Sequence, residues 1–196
     1  MLGPVRDYLL AGGPLMAPLA LDTFAVWFLY FRLVGALRND LRTPAIEEVL
    51  AAPAAESAGG VTPRLVRHLR ARLRAGLPFR EAFLQCRAAE LDRFSYSFYV
   101  LGALVTAAPL MGLLGTVFGM IDTFDAVAAR SEETASMVAS GISEALITTQ
   151  VGLAAALPGT FGLAHLMRLY TRLRAVVDHC ESHLALVFEF GREGGR

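Results

Sequence analysis

Glu144 is the residue whose type and place most invite chemistry. It stands in Ser140-Gly-Ile-Ser-Glu-Ala-Leu-Ile-Thr-Thr149, at the start of a long run with almost no charge. A carboxylate inside a membrane is costly and usually faces a protein interior or a water-filled path. Loss of water favours the neutral form of such a group. A carboxyl protonated from one side and deprotonated to the other is what a proton relay needs. A second reading stays open at this level, in which Glu144 points into headgroups or caps its helix. Thr148 lies four residues on and shares that helix face, with Thr149 beside it. Their hydroxyls could hold water near the carboxyl, or could bond the carbonyl four residues back.

Other residues carry weaker signals. Asp22 sits near the middle of another apolar run, where a buried acid is either a second ionisable group or the partner of a hydroxyl. Gly112, Gly115 and Gly119 form a small-residue stripe, and such stripes let helices approach closely in lipid. Thr116 lies within the stripe and is a candidate lining residue. Pro158 in Leu157-Pro-Gly-Thr160 removes a backbone donor and is expected to weaken or kink its helix. Pro109 raises the same expectation. His179 and His183 have the i, i+4 spacing of metal ligands. With no third ligand visible in the sequence, they read as a solvated helix face, and no metal site is expected.

The elements that position these residues are three apolar spans. A helix needs about 20 apolar residues to cross a bilayer. The runs are Tyr8 to Phe31, Phe94 to Ile121, and Ala145 to Met167, the last reaching back to about Met137. The first is longer than a signal-peptide core and no small-x-small site ends it, so an uncleaved span is expected. Arginine placement gives the orientation. Eleven arginines lie between spans one and two, from Arg32 to Arg93, and Arg168, Arg172 and Arg174 follow span three. The link between spans two and three carries Arg130 against Asp122, Asp125, Glu132 and Glu133. The long segment and the tail are therefore expected inside, with the N-terminus outside.

The expected fold is an all-α integral membrane protein with a periplasmic N-terminus, a cytoplasmic C-terminus and long helices extending into the cytoplasm. Residues 1–35 hold the first span, 36–93 a cytoplasmic helical segment, 94–175 spans two and three, and 176–196 a cytoplasmic tail. Pro53 to Gly60 reads as a linker. Thr62-Pro63 reads as a helix N-cap with proline at the first helical position. Leu65, Val66, Leu69 and Leu73 then recur at helical spacing. Pro78 opens a further helix expected to run unbroken into span two, with Phe79, Phe83 and Cys86 on one face. Leu169, Leu173, Val176, Val177, Cys180, Leu184 and Phe188 extend span three below the membrane. Hydrophobic residues make up 55% of the 196 and the formal net charge is zero, above the roughly 45–50% of soluble domains. Two cysteines form no disulfide framework or zinc pattern, and both are expected to be reduced. No phosphate loop, nucleophile elbow or clustered Cys/His set appears, so a soluble-type enzyme site is not expected. Nothing points to nucleic acid.

The segments Gly112-Leu-Leu-Gly-Thr-Val-Phe-Gly-Met120, Ile142-Ser-Glu-Ala-Leu-Ile-Thr-Thr149 and Gly152-Leu-Ala-Ala-Ala-Leu-Pro158 resemble the ExbB/TolQ/MotA proton-channel family. The resemblance covers roughly residues 80–175. Gly12-Gly-Pro-Leu-Met16 and Arg32 add a likeness to ExbB-like members, and three spans fit ExbB and TolQ better than the four of MotA. The resemblance implies a bacterial inner-membrane, non-enzymatic subunit that forms a five-fold ring around single helices of an ExbD- or TolR-like partner. Proton flow through the complex would drive a TonB- or TolA-linked task, import or envelope maintenance, with protons as coupling ion and no cofactor. It matches Glu144, Thr116 and Thr149 to the pore-lining positions, whereas helix geometry alone favours Thr148 beside Glu144. Asp22 departs from the small polar residue the family pattern places in span one. A MotA-like stator subunit and a non-energised membrane scaffold are the alternatives.

Overall fold

A computed structural model describes residues 13–52, 58–129 and 134–193, and every regular element among them is helical. Residues Tyr8 to Gly12, the Pro53 end of the linker, and Arg130, Glu132 and Glu133 of the acidic link lie outside the described residues. The helices are α1 (Met16–Leu41), α2 (Ile46–Ala51), α3 (Val61–Arg74), α4 (Phe79–Ala129) and α5 (Thr134–Glu193). Three of them, α1, α4 and α5, are long and apolar enough to cross a membrane. The helix expected to open at Pro78 does run unbroken into span two, as the 51 residues of α4. At 1.5 Å per residue α4 is about 77 Å long and the 60-residue α5 about 90 Å. Both far exceed the ~30 Å hydrocarbon layer.

One sequence expectation changes, the N-cap of α3. Among the described residues, the first span is helical from Met16. Gly13 has φ +70°, a left-handed conformation that glycine tolerates, and the turn it makes with Pro14 and Leu15 sets the start of α1. Thr62 is not the N-cap of α3. Gly60 (φ 107°) occupies that place, Thr62 is already helical, and its N–H donates to the Thr43 hydroxyl at 3.0 Å. An orphan first-turn donor is thus satisfied from 19 residues away rather than by a local cap. Pro158 and Pro109 both lie inside continuous helices, so each removes one ladder donor without ending its helix.

Contacts divide the chain into two compact units. One comprises residues 1–30 and 99–163, the other 31–98 and 164–196. In the first, Met16, Leu19 and Ala108 are buried, with Met111, Val151, Ala155 and Ala156 packed against them. Large apolar side chains such as Phe24, Leu113, Leu146, Leu157 and Phe161 are exposed on it. That surface suits lipid or other apolar helices.

The second unit has a conventional aliphatic core. Leu37, Val49, Leu65, Leu69, Phe83, Leu173, Val177 and Leu184 are fully buried. The thiols of Cys86 and Cys180 are free and buried in it. Two acids are buried there as well, Asp40 and Glu90. Arg64 bridges them at 2.9 Å each, and Arg93 also pairs with Asp40.

Candidate functional site

The site grows from the contact of α4 with α5 in the first unit. Glycine faces backbone there. A methyl group built on Gly112 would lie 3.2 Å from the Thr148 carbonyl oxygen and from the Thr149 Cα. One on Gly152 would lie 2.8 Å from the Ala108 carbonyl oxygen and 3.1 Å from the Gly112 Cα. Gly115 faces the Thr148 side chain and Gly119 faces Ala145. Position numbers rise along α4 as they fall along α5, so the pair is antiparallel. The stripe of Gly112, Gly115 and Gly119 had its counterpart in Gly152, which sequence reading did not single out. The signal was present: Gly152 follows Thr148 by four residues, one turn along the same face.

That close approach fixes the hydroxyls. Thr149 donates across to the Gly112 carbonyl at 2.9 Å. Thr148, buried, donates to the Glu144 carbonyl at 3.1 Å on its own helix, and half-buried Thr116 to the Leu113 carbonyl at 2.7 Å. The back-bonding alternative weighed for Thr148 is therefore what its hydroxyl proton does. Thr149 thereby joins one helix to the other through its hydroxyl proton.

Glu144 is half-buried at the N-terminal side of this contact. It lines a small pocket with Pro14, Leu15, Gly115, Phe118, Gly119, Asp122 and Thr148. The free space, about 20 Å³, is enough for one water. The Glu144 carboxyl lies against Gly13, where a side chain could not be built without striking Oε1. Asp122, which the sequence offered only as one charge of an acidic link, shares the pocket. The pocket thus gathers two carboxyl groups around room for one water.

Asp22 is elsewhere. It is buried on α1, and its Oδ2 has no hydrogen-bond partner among the described residues. It does not line the Glu144 pocket. Pro158 is exposed and lines an open cleft with Trp27, Tyr30 and Phe161. His179 and His183 belong to the second unit, and there the structure adds the third ligand-type residue the sequence lacked, Glu47.

A model of the MotA/TolQ/ExbB proton channel family matches residues 69–179. A putative biopolymer transport protein ExbB-like 3 of Synechocystis sp. is 35% identical over 111 residues, which is 55% of this chain and 51% of that protein. The ExbB-like 1 protein of the same organism is 33% identical over 169 residues, covering 77% of this chain and 66% of the relative. The Tol-Pal system protein TolQ of Haemophilus influenzae is 40% identical over 76 residues, 39% of this chain and 32% of that protein. The chain thus spans about half the length of the first of these relatives and a third of TolQ.

Proposed function

The chain belongs to the MotA/TolQ/ExbB proton channel family, closest to ExbB and TolQ, and we propose that it is the ring-forming subunit of a proton-driven motor in the bacterial inner membrane. Five copies would surround single membrane helices of an ExbD- or TolR-like partner. Proton flow through that ring would do work on a TonB- or TolA-like protein. Arginine placement supports an outside N-terminus and an inside C-terminus.

One observation carries the reading: Glu144, in an apolar helix pair, shares a one-water pocket with a second carboxyl, Asp122. A carboxyl there exchanges a proton with water or with a partner carboxyl without facing lipid. Thr149, Thr148 and Thr116 continue the polar lining along α4 and α5, and Asp22 offers a separate ionisable position on α1. Each charge moved through 100 mV releases about 2.3 kcal/mol, so several protons per cycle supply a large conformational step.

The test is proton flux into vesicles holding the purified complex with its single-span partner. Glu144→Ala should cut flux by more than about 100-fold, at the scale of losing an essential proton-transfer group. Native mass should still show the ring. Full flux in that variant would remove Glu144 from the path. A preparation that stays monomeric or dimeric on gentle extraction would favour a membrane scaffold instead.

A further inference from the structure

His179 and His183 stand one turn apart on α5, with ring centroids 4.8 Å apart. The short helix α2 brings Glu47 to them. His183 Nε2 lies 3.5 Å from Glu47 Oε1. One ligand atom from each of the three residues falls within 4.8 Å of the others. All three belong to the second unit, outside the proton path described above.

We propose that Glu47, His179 and His183 form a zinc site that ties α2 to α5. The donor set is two imidazoles and one carboxylate, which suits borderline metals such as zinc and is poor for magnesium or calcium. Zinc bonds of 2.0–2.1 Å in a tetrahedron hold ligand atoms about 3.3 Å apart. The His183–Glu47 pair is already near that spacing. The remaining closure, about 1.5 Å at most, is within reach of side-chain rotation, because Glu47 is 62% exposed and His183 39%. That openness leaves the fourth position to water, so the ion is exchangeable.

The site also answers a local need. α2 has six residues and no side-chain N-cap, far below the length at which a helix stands alone. Ile46 and Val49 anchor one face of it, and Glu47 is free to act from another. Cys180 is next to His179 in sequence but its thiol is buried and contacts the Thr62 hydroxyl at 3.8 Å. The coordination is therefore nitrogen and oxygen only.

The test uses the full chain in detergent after chelator treatment, titrated with zinc by calorimetry and with cobalt by absorption. The expected result is one equivalent per chain, a cobalt spectrum without a thiolate charge-transfer band, and at least tenfold weaker binding in His179→Ala and His183→Ala. Zinc should raise the melting temperature of the wild type and leave that of Glu47→Gln unchanged. Binding unaltered in the double histidine variant, a thiolate band, or no stoichiometric binding would each overturn the proposal. Circular dichroism in chelator checks the fold of each variant. Should a histidine variant lose helicity, Glu47→Gln carries the test alone, and unweakened zinc affinity in it overturns the proposal.

Discussion

The two units of this chain are both helical, yet they hold together by opposite means. In residues 1–30 and 99–163, helices meet through glycine, and backbone touches backbone at Gly112 and Gly152. In residues 31–98 and 164–196, leucine, valine and phenylalanine side chains fill a core around buried ion pairs. The difference follows from the solvent. In lipid, burying a leucine gains little, because the tails are as apolar as the side chain, so close approach and dispersion must serve. Against water, each buried aliphatic side chain contributes about 1.5–3 kcal/mol, and charges can be held if paired.

Substitutions in opposite directions should therefore break the two units. The largest stability loss is expected for Leu69→Ala in α3, about 2–5 kcal/mol, since the side chain is fully buried. Denaturant unfolding followed by circular dichroism measures it, and a loss under 1 kcal/mol would contradict a water-type core. Arg64→Met comes next, at about 2 kcal/mol. Removing one partner of a wholly buried pair costs about 3–5 kcal/mol, but Arg64 is 25% exposed and Arg93 still pairs with Asp40. Restored stability in the triple variant Asp40→Asn, Arg64→Met, Glu90→Gln would show that unpaired charge is the cause.

In the first unit the damaging change is enlargement. Gly152→Ala sets a methyl 2.8 Å from the Ala108 carbonyl oxygen, and should cost about 1–3 kcal/mol as overpacking. Gly35, whose added methyl would meet nothing within 4 Å, is the control and should gain stability as Ala. Equal melting temperatures for the two variants would refute tight packing at Gly152. The smallest effect concerns Cys86. Burial pushes its thiol above the ordinary 9.0, nearby Arg72 lowers it, and Glu90 raises it. The folded chain thus binds this proton more tightly than the unfolded one. Its contribution is complete below pH 9.0 and fades as pH rises through the folded value. Alkylation at pH 8 should be slow, and rapid labelling of native protein would show the thiol to be open.

Much of this was legible in the sequence because it is periodic. Apolar runs announced the three long helices, and the spacing of Leu65, Val66 and Leu69 announced the buried face of α3. What was hidden depends on residues far apart in the chain. No local pattern says that Thr43 caps α3, that Arg64 joins Asp40 to Glu90 from 24 and 26 positions away, or that Glu47 meets His183. Asp122 was visible as a charge, but its place beside Glu144 required the register of α4 on α5. The two threonines divide by direction. The i, i+4 argument correctly put Thr148 over Glu144, while Thr149, one residue and 100° further round, reaches the other helix.

The hydroxyl geometry also bears on which ions the proposed pore would welcome. Thr116 and Thr149 spend their single protons on the carbonyls of Leu113 and Gly112. Each oxygen is left with electron pairs and nothing to donate. Chloride or another anion moving along α4 and α5 would meet repulsion where it needs a donor. A hydronium or a protonated carboxylic acid would meet an acceptor. In the proposed pore, charge selection of this kind would need no arginine or lysine, because two threonines turned toward the backbone would supply it.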